Sequence, residues 1–198
     1  GEPIVSGAAL AVIILMVMVG LAFKLSVFPF HFWCPDAFEG ASAEVAGFLS
    51  VASKAGAFAL LVRFALAFGG GDGGALQPTY LHIGLAIGLI AAVTATYGNL
   101  AAYRQTNVKR LLAYSTIAHA GYMLMSVGAM LVLMNAPAES TITDASIQAT
   151  RALEGLLYYL AVYLFMNLGA FAVVALIRNS TYSEEIEDYA GLASVTPT

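Results

Sequence analysis

Apolar runs long enough to cross a lipid bilayer constrain the fold of this chain more than any other feature. A spanning helix needs about 20 mainly apolar residues, and five segments meet that requirement. Because backbone groups in lipid must satisfy their own hydrogen bonds, such segments predict helices rather than open sheets. We therefore predict an all-α membrane protein with spans at about residues 6–33, 44–68, 79–103, 111–134 and 156–177.

The composition supports this class. Of the 198 residues, 60% are hydrophobic and 10% are charged, whereas soluble domains carry about 25% charged residues. The net charge of −4 gives no indication of nucleic-acid binding, so the lipid bilayer is the expected partner and nucleic acid is not. The single cysteine excludes an internal disulfide framework and a cysteine-built metal site. No sequence motif indicates a redox cofactor bound to this chain.

Polar segments separate the predicted spans. We expect "CPDAFEGASAE" to be a turn and "GGGDGGALQP" and "NAPAESTITDASIQATRALEG" to be loops. Residues 179–198 are predicted to form an acidic surface tail that leads to a further helix. The chain lacks an initiator methionine and ends without a helix cap, which favours an internal piece of a longer protein.

Basic residues in the links indicate an orientation. Cytoplasmic loops of membrane proteins carry an excess of lysine and arginine. Arg63 and Arg151 lie near span ends on the opposite side of the predicted topology. The side predicted to be cytoplasmic carries Arg104, Lys109, Arg110 and Arg178.

The first span contains a predicted helix break beside a lysine. In "LAFKLSVFPFHFWCPD", Pro29 lacks a backbone donor, and its ring clashes with the carbonyl oxygen of Leu25. The break should leave free backbone groups next to Lys24. Non-helical backbone at membrane depth persists only where protein or water surrounds it. The stretch therefore predicts a hydrated ion site, as in transporters with discontinuous helices. Alternatively, Lys24 extends along the helix to the membrane surface.

A second lysine lies deeper in the membrane. Lys54 is about ten residues from the start of its span, or roughly 15 Å at 1.5 Å per residue. A lysine at the bilayer centre costs about 2.5–3.5 kcal/mol on insertion scales, which favours a functional role. An amine held away from water can bind and release a proton near neutral pH. The small residues of "GFLSVASKAG" would let a neighbouring helix approach it. The alternative is a structural ion pair whose carboxylate comes from outside this chain.

Histidine is the other candidate proton carrier, because its side chain titrates near physiological pH. His119 lies within the fourth span, and His31 follows the predicted break. His82, at the start of the third span, is the weakest candidate of the three. The alternative for each is an ordinary packing or hydrogen-bonding role. Hydroxyl groups one turn from His119 that could hold a water chain, or merely bond between helices, belong to Ser115, Thr116 and Tyr122.

Two long strings resemble one known family. They are "FKLSVFPFHFWCPDAFEGASAEVAGFLSVASKAGAFALLVRF" and "YGNLAAYRQTNVKRLLAYSTIAHAGYML". Both are similar to the antiporter-like subunits of respiratory complex I. They are most similar to the subunit N family of bacterial NADH:quinone oxidoreductase, equivalent to mitochondrial subunit 2. The later string "GLLYYLAVYLFMNLGAFAVVALI" also resembles this family.

The resemblance implies an inverted-repeat antiporter-like fold in which each repeat has one broken helix. It implies that Lys24 is the lysine of the broken helix, Lys54 the bridging lysine of the next helix, and His119 a histidine of the central hydrophilic axis. In the family, these groups pass protons along the middle of the membrane, coupled to quinone reduction in a distant subunit. The whole complex uses NADH and quinone. The implied partners are other membrane-arm subunits, and the implied location is the bacterial inner membrane.

The chain also departs from the family pattern. The glutamate that pairs with the lysine of the broken helix lies on an earlier helix, and the terminal lysine lies on a later one. Neither is in this sequence, so the chain alone is not expected to pump protons.

Two other functions stay open. The same helix pattern fits a subunit of a multi-subunit cation/proton antiporter or of a membrane-bound hydrogenase. A different class of function is a non-transporting scaffold whose lysines are held in ion pairs.

Overall fold

The computed structural model describes residues 7–69, 77–135 and 145–192. Within them, four helices are long and apolar enough to span a membrane, and a shorter apolar helix covers Val12–Leu25. The predicted all-α membrane class is confirmed. The elements are α1 (Gly7–Leu25), α2 (Trp33–Gly40), α3 (Ala43–Phe48), a π-helical turn (Leu49–Ser53), α4 (Lys54–Gly69), α5 (Gln77–Ala102), α6 (Val108–Met134), α7 (Ala145–Thr181) and a 3-10 helix (Ile186–Tyr189).

The predicted break near Pro29 is confirmed, and it extends over several residues. Helix α1 ends at Leu25, and Ser26 has a left-handed backbone conformation with φ of 58°. The Phe28–Pro29 peptide bond is cis. Side chains supply hydrogen-bond partners for some of the backbone groups that the break leaves unpaired. The Trp33 indole donates to the Phe23 carbonyl oxygen (2.9 Å), and the Phe28 amide donates to Thr94 Oγ1 (3.2 Å).

The stretch "CPDAFEGASAE" is not the predicted turn. It forms most of α2 and the start of α3, with only Ala41 and Ser42 between the two helices. Pro35 is tolerated because it lies in the first turn of α2, where its missing amide would have no helical partner. The helix is also held in place, because Phe38 is buried against the rest of the chain.

Helices α3 and α4 form one continuous rod through the π-helical turn at Leu49–Ser53. This turn lies directly before Lys54. A π-helical turn closes its hydrogen bonds over five residues instead of four, and such turns occur frequently at functional sites. No local sequence pattern predicts this π-helical turn.

Glycines bring α5 and α6 into close backbone contact. A Cβ atom on Gly98 would lie 2.6 Å from the amide nitrogen of Ala118, and one on Gly121 would lie 2.6 Å from that of Ala95. Real Cβ atoms do not approach backbone atoms this closely, so both positions require glycine. Small residues that permit close approach are the usual basis of helix packing in membranes.

Replacing Gly121 with alanine is expected to destabilise the protein. The added methyl group would force the α5 and α6 backbones apart, and overpacking of this kind costs about 1–3 kcal/mol. Gly155→Ala on α7 is a matched control, because a Cβ there meets nothing within 4 Å in the described chain. Thermal unfolding in detergent measures the difference. Equal stability of the two variants would contradict the close packing.

Helix α7 is longer than the predicted fifth span. It begins at Ala145, so the second half of the predicted polar loop is helical, and it continues to Thr181. Its 37 residues extend about 55 Å at 1.5 Å per residue, beyond the roughly 30 Å of a hydrocarbon core. Burial of Ala149 stabilises the added N-terminal turns against the bundle.

Parts of the other predicted segments fall outside the described residues. These parts are residues 1–6, 70–76 of the glycine-rich loop, 136–144 of the polar loop and 193–198 of the tail. The described end of the glycine-rich loop, Gln77 and Pro78, already belongs to α5.

The segment after α7 returns to the start of α6. The Val108 amide donates to the Glu184 carbonyl oxygen (2.9 Å), and the Ile186 amide donates to that of Thr106 (2.8 Å). The Glu184 carboxylate pairs with Lys109 (2.8 Å) and Arg178 (3.0 Å). Basic residues from the start of α6 and the end of α7 therefore lie at one end of the bundle.

Candidate functional site

A buried lysine forms the centre of the candidate site. Lys54, the first residue of α4, is 2% exposed. Its Nζ donates to the backbone carbonyl oxygen of Thr116 on α6, at 2.6 Å. The ion pairs seen in the described ranges involve Lys109, Arg110 and Arg178. Within those ranges, the Lys54 amine thus has a neutral carbonyl partner in place of a carboxylate.

His119 lies on the same helix as the Lys54 partner. Thr116, whose carbonyl oxygen accepts from Lys54, and His119 are three residues apart, close to one helical turn. His119 Nδ1 forms a 2.5 Å hydrogen bond with the hydroxyl of Tyr159 on α7. Lys54 and His119, far apart in sequence, are therefore brought into one cluster.

Three tyrosine rings surround the imidazole. Its ring lies edge-on to Tyr122, at a centroid distance of 5.9 Å, and is tilted against Tyr159 at 5.9 Å and Tyr163 at 5.2 Å. The Tyr122 hydroxyl accepts a hydrogen bond from the Asn99 side chain on α5 (2.6 Å). Polar groups of α5, α6 and α7 thus converge on His119.

A second polar group connects α7 to the π-helical turn. Asn167, which is 2% exposed, donates from Nδ2 to Ser50 Oγ (2.5 Å) and to the Tyr163 hydroxyl (3.1 Å). Ser50 Oγ donates in turn to the carbonyl oxygen of Gly47 (2.6 Å). Together with Lys54 and the half-buried His119 and Tyr159, these residues form what we call the buried polar axis between the π-helical turn and α7.

Sequence reasoning missed Ser50, Tyr159, Tyr163 and Asn167. One signal could have indicated part of this group. In "YYLAVYLFMN", Tyr159, Tyr163 and Asn167 recur at four-residue spacing, which places them on one face of a helix.

Lys24 does not join the buried polar axis. Its side chain is exposed on the described chain, one residue before the end of α1. It lines a groove of about 530 Å³ together with the rod residues Leu49, Ser53 and Gly56. Most of the other side chains that line this groove are apolar.

His31 lies at the break and is 9% exposed. Its ring stacks on Phe28, with centroids 5.4 Å apart, and is tilted against Tyr97 of α5 at 4.4 Å. The histidine is therefore held between aromatic rings rather than next to Lys54.

The remaining sequence candidates differ in how far they are buried. Ser115 is half-buried on α6, and Pro29 and His82 are exposed on the described chain. Across residues 7–69, 77–135 and 145–192, no group of three or more His, Cys, Asp or Glu side chains is placed to hold a metal ion.

Comparison with known proteins decides the family. A profile of the family described as NADH:quinone oxidoreductase/Mrp antiporter, transmembrane, matches residues 4–139, more than half of the chain. The chain belongs to this family. Family membership and the apolar helices together make it a multi-pass protein of the bacterial inner membrane.

Relatives in this family support the resemblance found in the sequence. The NADH-quinone oxidoreductase subunit N of Desulforamulus reducens is 42% identical over 185 residues, covering 93% of this chain. That of Anaeromyxobacter sp. is 43% identical over 194 residues, covering 96%. The chain spans about a third of the length of these relatives, 33% and 34% respectively. The predicted resemblance to the subunit N family is confirmed.

A solved structure confirms the fold of this family. The match is to a chain of respiratory complex I from Thermus thermophilus, solved with bound aureothin, with a TM-score of 0.64 and 33% identity. It covers 99% of this chain and 37% of that one. The described helices thus follow the antiporter-like fold over nearly the whole sequence.

Proposed function

We propose that this chain is part of a membrane-arm subunit of an NADH:quinone oxidoreductase and that it carries protons through the membrane interior. In this proposal, the chain contributes a translocase function and performs no redox chemistry itself. Its partners are the other membrane-arm subunits, and quinone reduction occurs elsewhere in the complex. The printed names of the subunit N relatives support the assignment to such a complex.

One observation supports proton transfer above all: a 2%-exposed lysine amine hydrogen-bonded to a neutral carbonyl group next to a histidine. A lysine locked in a structural ion pair would have a carboxylate partner, as Lys109 has in Glu184. A buried amine without one is poised to change its protonation state. Within the described residues, this contrast supports proton carriage by Lys54.

The proposed route runs from Lys24 to Lys54 and then to His119. Lys24 receives its counter-charge from a carboxylate outside this chain, across the groove that it lines. Lys54 passes its proton along the Thr116 side of α6 to His119 through water. Ser115 and Tyr122, each about one helical turn from His119, assist by holding that water, and the break at Pro29 together with His31 assists at the Lys24 end of the route.

Gradient measurements test this function directly. Inverted membrane vesicles that contain the full-length protein in its complex should acidify when NADH is supplied, and deletion of the gene should remove that signal. The family description also names Mrp antiporters. If the vesicles instead exchanged sodium for protons without NADH, the antiporter alternative would replace this proposal.

Removing the Tyr159 hydroxyl group is expected to slow proton translocation. Tyr159→Phe retains the ring that packs on His119 but removes the hydrogen-bond partner of Nδ1. A positioned proton-transfer group contributes about 10²–10⁴-fold in rate, and losing only its orientation should cost about tenfold. Initial rates of NADH-driven acidification measure the effect. Full-rate acidification by Tyr159→Phe would exclude this hydroxyl from the route.

A further inference from the structure

The rod formed by α3 and α4 presents two different faces to its neighbours. Upstream of the π-helical turn, a Cβ on Gly47 would lie 3.1 Å from Phe171 Cβ on α7, so this face packs on α7. Ser50, within the turn, also contacts α7 through Asn167. Downstream, Lys54 contacts Thr116 on α6 instead.

A regular α-helix could not produce this arrangement. In an α-helix, each residue rotates about 100° around the helix axis relative to the one before it. Seven residues therefore complete almost two full turns and fall only about 20° short. Gly47 and Lys54 are seven residues apart, so in a regular helix both would face α7. A π-helical turn takes in one extra residue, and this rotates the downstream face by about 100°. The turn at Leu49–Ser53 therefore directs Lys54 away from α7 and toward α6 and His119.

Contacts from α7 hold the turn in this form. The Ser50 hydroxyl group donates to the Gly47 carbonyl oxygen, one of the backbone acceptors beside the widened turn. Asn167 fixes the hydroxyl group from the other side at 2.5 Å. Both side chains are almost completely buried, with Ser50 at 0% and Asn167 at 2% exposure, so water does not compete for these bonds.

We propose that Asn167 is a positioning residue for the proton route: through Ser50 it maintains the π-helical turn that directs the Lys54 amine to α6. This inference rests on the proposed function, because it assigns a role in setting the geometry of Lys54. Asn167 itself exchanges no proton. Without its bond to Ser50, the turn relaxes to α-helical form, and the Lys54 amine rotates toward α7 and away from Thr116.

The first test replaces Asn167 with leucine in the full-length subunit within its assembled complex. Leucine branches at the same carbon as asparagine and has no donor. The rate of NADH-driven acidification is expected to fall about tenfold, since displacement of a reacting group by about 1 Å can cost up to a hundredfold. Asn179→Leu, an identical change at an exposed position of α7, should leave the rate unchanged. If Asn167→Leu fails to assemble, Ser50→Ala removes the same bond with a smaller change and is expected to lower the rate equally.

A compensating deletion separates positioning from simple packing. Ala52 is an exposed residue of the turn, and deleting it removes the one extra residue that the π-helical turn takes in. In the shortened rod, a regular α-helix then places Gly47 toward α7 and Lys54 toward α6. The deletion should therefore restore the rate in the Asn167→Leu background. A residue that only packs would not be rescued in this way, so absence of rescue would overturn the inference.

The result can be distinguished from failure of the proposed function. Unchanged acidification by both Asn167→Leu and Ser50→Ala, alongside loss of acidification in a Lys54→Met variant, would reject only the positioning role. Unchanged acidification by Lys54→Met would reject the proposed function itself.

Discussion

Replacing Lys54 with methionine is expected to abolish proton translocation or reduce it severely while the protein still assembles. Methionine fills a similar volume but cannot carry a proton. Burying a charge without an ionic partner is costly, and replacing Lys54 with an apolar residue removes that cost. The Thr116 carbonyl group keeps its helical acceptor role in α6, so no unsatisfied group remains. The activity loss should thus occur without a folding defect.

Acidification of inverted vesicles and the amount of assembled complex in the same membranes are the two measurements. Arg151→Met is the matched control, because this residue is also basic but is exposed on α7. The control should retain both acidification and assembly. An assembled Lys54→Met complex that acidifies vesicles at the control rate would show that the buried amine is not part of the route.

The helix break illustrates what local sequence can predict. Pro29 removes a donor and blocks a carbonyl group whatever surrounds it, so the interruption follows from one residue type. The apolar runs are equally local, since the bilayer thickness sets the length of a spanning helix. The depth of Lys54 within its span follows from counting residues, and its side chain is indeed buried.

The partners of Lys54 could not be predicted in the same way. Its face on the rod depends on the π-helical turn. Within that turn, Ser50 is bonded to Asn167, 117 residues away in sequence. Counting at α-helical periodicity gives the wrong face for this lysine. Likewise, the hydrogen bond from His119 to Tyr159 joins α6 to α7, and the pairing of those helices is a tertiary property. Local patterns identify the candidate groups, whereas packing decides which of them meet.

The turn assigned to "CPDAFEGASAE" failed for a related reason. Proline, glycine and several polar residues are typical of turns. The stretch also contains Phe38, however, and the side chain of Phe38 is buried in the helix bundle. Arg110 on α6 also lies 2.7 Å from both Asp36 and Glu39. Contacts with a helix far along the sequence thus favour α2 over a turn.

Replacing Lys109 with methionine is expected to cause the largest loss of stability among single charge substitutions in the described chain. Lys109 is 3% exposed, and its amine pairs with Glu184 (2.8 Å) and donates to the Ala41 carbonyl oxygen (2.7 Å). Removing one partner of a buried pair costs about 3–5 kcal/mol because the other charge stays buried. Arg178 remains near Glu184, so we expect a loss near the lower end, about 3 kcal/mol.

Arg110→Met provides the comparison, because the neighbouring arginine forms its ion pairs at the surface with Asp36, whose side chain is 72% exposed. Exposed pairs contribute about 0–1 kcal/mol, so this variant should unfold almost like the parent protein. Unfolding in detergent, monitored by temperature or denaturant, measures both. If Lys109→Met were as mild as Arg110→Met, the burial of the Lys109–Glu184 pair would be contradicted.

A double variant separates the structural role of this pair from proton transfer. Combining Lys109→Met with Glu184→Leu removes both buried charges, and replacing a buried ion pair with apolar residues often recovers stability. The pair lies at the α6 terminus, where the segment after α7 docks, whereas Lys54 meets α6 at Thr116, two helical turns further along the helix. The double variant should therefore assemble and acidify vesicles at the parental rate, which distinguishes a lysine that holds the fold from one that carries protons.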